Sequence, residues 1–301
     1  MKKWLMVIRA PFLPLAVVLA FLGACIAWYE SREIGATFDF SIGYAWLAGV
    51  GILLAHISVD VLNEYFDFRS GIDLKTQRTP FSGGSGALPA GLITPHQALY
   101  LGSGTLIAIV PLGIFFVLDK GWALLPLLLV AVVLIVLYTP FILKMGWPEW
   151  APGAGMGSLP ILGAYFVHAG VFDVSAIIAA IPSGILVHNL LLINEFPDVE
   201  ADMTAKRRTM PIAFGKRRSS LVYSALTILV YLWIIGGVIS SVMPPFSLLG
   251  LLTIPWAVKA IRGALNYQDM NKLVPAMANN VLVVLLTQLL MGIGYILAGV
   301  L

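Results

Sequence analysis

The chain is dominated by uninterrupted apolar runs, each about as long as the roughly 20 residues an α-helix needs to cross a bilayer. Nine are read, at 11–29, 42–66, 97–118, 122–143, 151–170, 174–196, 219–243, 246–265 and 273–301. Backbone N–H and C=O groups find no water in hydrocarbon, so each span must close its hydrogen bonds within itself as a helix. The expected fold is all-α and polytopic. Only 11% of the residues are charged, against about a quarter in a soluble domain, so a large water-soluble core is excluded. The fifth run is the least regular, with Pro152, Gly153, Gly155, Gly157 and Pro160 crowding its first half. No small-residue cleavage site precedes the first run, which is expected to be retained as a span.

The basic residues test the count. With nine spans and the N-terminus inside, 16 of the 18 Lys and Arg fall on the cytoplasmic side, leaving only Arg32 and Lys120 outside. That asymmetry predicts cytoplasmic N-terminal and motif-bearing segments in a multi-pass protein of the cell membrane. Lys259 and Arg262 lie within the eighth run, so that helix is expected to end early or to let its cations snorkel. The net charge of +3 gives no case for a nucleic-acid partner. Cys25 is the single cysteine, which excludes a disulfide framework and a Cys-based metal site.

Two hydrophilic segments repeat each other. The first begins Asn63-Glu64-Tyr65-Phe66-Asp67 and reaches Asp73; the second begins Asn194-Glu195-Phe196-Pro197-Asp198 and reaches Asp202. Each continues to an Arg-Thr pair, Arg78-Thr79 or Arg208-Thr209, with Pro80 or Pro211 close behind. The asparagines are 131 positions apart and the arginines 130. This reads as one domain over 1–301 with an internal repeat, its motif loops at about 63–96 and 194–218.

Carboxylates at a membrane edge are unfavourable unless paired, hydrated or bound to metal. His56, Asp60, Asn63, Glu64 and Asp67 share one helical face at their spacings, as do His188 and Glu195. Two clusters of hard oxygens suit Mg²⁺, which takes one or two carboxylates and completes its shell with phosphate oxygens and water. Basic residues in the same segments, Arg69, Arg78, Lys206 and Arg208, would compete for those carboxylates unless a polyanion lay between the two signs. A diphosphate meets that description, with Asp67, Asp73, Asp198 and Asp202 as metal ligands and Asn63 and Asn194 in support. The plainer alternative pairs the Asp and Arg side chains with each other in solvated loops; Asp60, Glu64 and Glu195 are equally compatible with hydrogen-bond partners of the ligands.

The segment from Asn63 to Asp73, the segment from Asp198 to Asp202 and the nine-span plan resemble the UbiA superfamily of intramembrane prenyltransferases over nearly the whole chain. The resemblance implies nine helices around a central cavity, a cytoplasmic cap carrying both motifs, and Mg²⁺-dependent transfer of a prenyl group from an allylic diphosphate to an aromatic acceptor. The step of six residues between Asp67 and Asp73, with Gly71 between, is similar to members that prenylate 1,4-dihydroxy-2-naphthoate in menaquinone synthesis. Glu64 stands where Asp is common.

The resemblance also covers Tyr138-Thr139-Pro140-Phe141-Ile142-Leu143-Lys144. It implies Lys144 on the diphosphate and Tyr138 on the carbocation or acceptor; taken alone, each reads as an interfacial anchor. The partners implied are a polyprenyl diphosphate, a small aromatic acceptor and membrane lipid. His56 and His188 are candidates for taking the acceptor's proton, although buried structural histidines are the commoner case. Two other functions use overlapping features: prenyl transfer to a glycerol phosphate lipid precursor, which differs in its acceptor pocket, and ion-coupled transport, whose sites lie nearer the bilayer midplane.

Overall fold

The computed structural model describes residues 1–76 and 78–301. The described residues are helical with no strand. Nine main helices are labelled α1 (Pro14–Glu30), α2 (Ile42–Ser70), α3 (Pro95–Lys120), α4 (Leu124–Leu137), α5 (Leu159–Ala169), α6 (Val174–Asn194), α7 (Lys216–Ile239), α8 (Ile254–Leu265) and α9 (Met270–Val300). Polar caps set several starts. Ser41 Oγ accepts the Tyr44 N–H at 3.4 Å before α2, Thr94 and Gln97 form a reciprocal capping box before α3, and Asp173 accepts the Ser175 N–H at 2.8 Å before α6.

Among the described residues, seven helices are long and apolar enough to cross a membrane: Ala10–Glu30, Ile42–Ser70, Pro95–Lys120, Val174–Asn194, Lys216–Ile239, Pro245–Leu265 and Met270–Val300. The other two expected spans fall short. α4 has 14 residues, and the Gly/Pro-rich fifth run is interrupted by a π turn at Ala154–Ser158 before α5 begins. The turn is held against α6: Ser158 Oγ donates to the Ala180 carbonyl at 3.1 Å. A Cβ on Gly157 would come within 2.7 Å of Gly184 Cα, so absence of a side chain is what lets these backbones meet, as at close helix crossings in membranes. α8 does not end early; Lys259 and Arg262 lie on its exposed face, while Ala257, Ala260, Gly263 and Ala264 face inward.

α2 packs along α3, and α1 lies between α2, α5 and α9, which in turn packs on α8; α7 closes against α6. The largest apolar core joins α1, α5, α6, α7 and α9 through Leu19, Leu22, Tyr165, Val187, Ile234 and Tyr295. At one end Glu30 accepts hydrogen bonds from the Tyr165 and Ser175 hydroxyls, tying α1 to α5 and α6. The outer surface is apolar, with Ile107, Leu118, Leu232 and Ile239 all exposed, the inverse of a soluble bundle. At the opposite end the turn Ile72–Leu74, following α2, packs on the short helix Val199–Thr204, following α6.

Candidate active site

Both motif segments end on one cavity of about 600 Å³ enclosed by α1–α6 and α9. Asp60, Asn63, Asp67 and Asp73 enter it from the α2 side, and Asn194, Glu195, Asp198 and Asp202 from the α6 side. Residues from α2 to α6 such as Ile52, Leu127, Ile135, Met156 and Val187 supply an apolar remainder. Asp67, Asp73 and Asp202 are buried.

Their burial leaves oxygens without donors. Asp60 Oδ2, Asp73 Oδ2, Asn194 Oδ1, Glu195 Oε2 and Asp198 Oδ1 are buried acceptors with no hydrogen bond. Buried polar atoms are normally paired, and leaving a carboxylate unpaired in a dry site is strongly unfavourable. Burial, reinforced by Asp67 and Glu64, pushes the Asp73 carboxyl up to about 7. Burial and the neighbouring Asp202 push Asp198 up to about 7, against the pull of Arg207. A hard cation would satisfy these oxygens. Among the described residues no three Asp, Glu, His or Cys side chains converge to hold a metal by themselves, so carboxylates offered in ones and twos, with phosphate oxygens completing the shell, are what the geometry presents to Mg²⁺.

Residues 16–283 match the model of the UbiA prenyltransferase family. The chain belongs to that family. It is a prenyltransferase, similar to the 1,4-dihydroxy-2-naphthoate octaprenyltransferase of Bacillus subtilis, with 28% identity over 74% of this chain and 71% of the relative. Its fold matches that of a UbiA homologue from Aeropyrum pernix K1 at a TM-score of 0.71 and 14% identity, over 95% of this chain and 97% of the other. A UbiA homologue from Archaeoglobus fulgidus, bound to GPP and Mg²⁺, matches at 0.57 and 13%, over 96% and 99%.

Within this UbiA-family chain the cations are distributed differently from the reading of the sequence. Arg78, Lys206 and Arg208 have exposed side chains and line no part of the cavity. Arg78 Nε donates to the Gly83 carbonyl of its own loop at 3.3 Å, and the Arg208 N–H donates to the Leu143 carbonyl at 2.8 Å. The reason is local: Lys206 takes a left-handed backbone, φ 57°, and the turn sends Arg207 inward between two residues facing water. Arg207 donates to Asp202 at 2.9 Å and also to Asp67. Its guanidinium is raised further above its ordinary value, because those carboxylates outweigh the opposing effect of burial. Lys144 and Arg69 line a second, smaller cavity of about 370 Å³ that shares Asp67 and Arg207 with the first.

Arg9 is the other cation that the sequence reading missed. Its left-handed backbone, φ 48°, lets Nε donate to Glu64 at 3.0 Å while the side chain lines the main cavity. Glu64 also accepts the Ser85 N–H and hydroxyl, each at 2.6 Å. With both oxygens engaged, Glu64 is an anchor. It pins the loop around Gly84, where a Cβ would meet Asp73 and Glu64 oxygens at 3.2 and 3.3 Å. Asn63 donates to the Thr139 hydroxyl at 3.0 Å, joining α2 to the segment after Tyr138; Tyr138 itself lines the cavity. His188 is held between Trp147, which donates to Nε2 at 3.0 Å, and Asn189. His56 lines the cavity with Nε2 3.5 Å from Asp60. Arg207 carries no sequence signal beyond its basic neighbours, and Arg9 only that of an isolated cation in an apolar stretch before Pro11.

Proposed function

We propose that this chain transfers a prenyl group from a polyprenyl diphosphate to an aromatic quinone precursor such as 1,4-dihydroxy-2-naphthoate, in a Mg²⁺-dependent reaction. One observation carries this: buried carboxylate oxygens from both motifs open onto the polar end of a cavity whose other walls are apolar. The named activity of the B. subtilis relative supports the acceptor class, and the GPP and Mg²⁺ in the A. fulgidus homologue support the donor and metal.

Asp67, Asp73, Asp198 and Asp202 would hold Mg²⁺, with Asn194 in support. Bound there, Mg²⁺ supplies neutralisation of the diphosphate, so that the allylic C–O bond can break with its electron pair leaving on oxygen. Arg207 and Arg9 add positive charge where the leaving group gains negative charge, and Arg207 takes the place beside the polyanion that the sequence reading gave to Arg78, Lys206 and Arg208. Lys144 and Arg69 act on the same anion from the smaller cavity. The Tyr138 ring presents a π face to the allylic cation. The apolar walls exclude water, which would otherwise capture that cation. Ile114, Leu118, Leu129 and Val132, on α3 and α4, line the cavity and are exposed; the gap between these helices is where an isoprenoid tail would reach lipid.

The same reading takes α4 and the segment 150–169 as short spans, giving nine. It treats 1–301 as a single domain with a repeat, and sets the N-terminus and motif segments in the cytoplasm of a cell-membrane protein. A purified sample given radiolabelled polyprenyl diphosphate, Mg²⁺ and 1,4-dihydroxy-2-naphthoate should form a labelled quinol precursor. Asp67→Ala and Asp198→Ala should reduce that by at least about 100-fold, the scale on which oriented electrostatic groups act. Label entering a glycerol phosphate ether instead would move the acceptor to the lipid class. Full activity in either variant would remove the metal assignment.

A further inference from the structure

Arg207 joins the two motif copies. Its guanidinium donates to Oδ1 of Asp67 on α2 and, at 2.9 Å, to Oδ1 of Asp202 on Val199–Thr204. The three side chains are 13%, 12% and 4% exposed, so water contributes little to keeping these carboxylates satisfied. Asp73 and Asp198, on the same cavity, each keep an oxygen with no donor. A guanidinium thus engages one oxygen of a carboxylate from each motif, while Asp73 and Asp198 each keep one buried oxygen unpaired. A divalent cation held by Asp67 and Asp202 would have to share with Arg207 the two carboxylates whose Oδ1 atoms that residue now occupies, and its charge would repel the guanidinium. The two occupants compete for the same pair of carboxylates.

We infer that Arg207 is a built-in stand-in for the divalent cation: it holds Asp67 and Asp202 when no metal is bound, and turns onto the diphosphate when the metal arrives. This rests on the reading above of Asp67 and Asp202 as ligands. Guanidinium suits the exchange because its planar fork pairs as well with phosphate as with carboxylate. Arg207 lies in the wall between the two cavities and lines both, so space for the turn exists on either side. The left-handed turn at Lys206 aims it at the motif junction. Such an occupant keeps like charges from driving the motifs apart between turnovers, and makes bare metal bind more weakly than metal with diphosphate. A residue serving only the fold would stay on the carboxylates when metal binds, so only an exchange makes the Arg207 guanidinium more accessible in the presence of metal.

The test uses Mn²⁺ as the probe, with full-length protein in detergent and no diphosphate, and free Mn²⁺ read by EPR. Arg207→Gln should bind Mn²⁺ about tenfold more tightly than wild type, within the usual range of coupling between ligands. It should also melt at a lower temperature without Mn²⁺ and gain more from adding it, because its buried carboxylates lack a partner. Asp67→Asn and Asp202→Asn should weaken Mn²⁺ binding. If they do, and Arg207→Gln binds no more tightly than wild type, the inference fails alone. If they bind as wild type does, the ligand assignment fails and takes the inference with it. Wild-type protein supplies a readout independent of the folding of any variant: phenylglyoxal modification of Arg207, mapped by mass spectrometry. Mn²⁺ alone should speed it, and Mn²⁺ with inorganic diphosphate should slow it again. An unchanged rate at saturating Mn²⁺ would overturn the exchange.

Discussion

Asp73 and Asp198 lie in different motif copies, yet burial pushes each up to about 7, far above the value near 3.9 of an unfolded aspartate. A carboxyl raised on folding favours the folded chain fully below its unfolded value, and that contribution is lost as pH rises through the folded value. The metal-free protein should therefore lose stability between about pH 4 and pH 7 at these positions. Metal ligation needs the ionised form. At about pH 6 Mg²⁺ must displace protons, whereas at about pH 8 it meets carboxylates already charged, each with one buried oxygen unpaired. The rise in melting temperature caused by Mg²⁺ with inorganic diphosphate should grow over that interval, and calorimetry at the lower pH should register proton release. An equal rise at both pH values would argue against ligation by Asp73 and Asp198. Their titration depends on surrounding atoms far away in sequence, which is why spacing alone names the aspartates but not their protonation.

At the scale of elements, the segment 150–169 is where composition and packing disagree most. Its glycines and prolines weaken a helix in isolation. In place, the π turn Ala154–Ser158 sets Gly157 against α6, where a Cβ would lie 2.7 Å from Gly184 Cα and 2.8 Å from the Ser183 carbonyl oxygen. Gly157→Val should overfill that contact and lower stability by roughly 1–3 kcal/mol, read as a drop in the melting temperature of the detergent-solubilised protein. Gly104→Ala, at a site with nothing within 4 Å of the new methyl, is the control and should melt close to wild type. Matching melts for Gly157→Val and wild type would contradict the close crossing of the π turn and α6. The contact also bears on the cavity, since Gly155 and Met156 on this turn line it.

For the whole molecule, the membrane orientation gives a direct test. Cys25 is buried, so single cysteines can be introduced against a silent background. Ser70→Cys and Thr204→Cys, at exposed positions beside the two motifs, should react with an impermeant maleimide from the same, cytoplasmic side; Glu33→Cys should react only from the other. Labelling of the first two from opposite sides would break the shared site. The all-α class, seven of the nine expected spans and the two aspartate motifs were legible in the sequence, because the bilayer demands long apolar helices and because the repeat of Asn63 to Asp73 in Asn194 to Asp202 is a matter of order along the chain. The resemblance those motifs carried pointed to the family that residues 16–283 match. What the tertiary structure alone decided was which charges face one another. It turned Arg207 inward rather than Lys206 or Arg208, brought Arg9 from before the first span onto Glu64, and locked His188 between Trp147 and Asn189. Adjacent basic residues look alike in a sequence; a single left-handed turn and the packing of helices distant along the chain determine which of them meets a buried carboxylate.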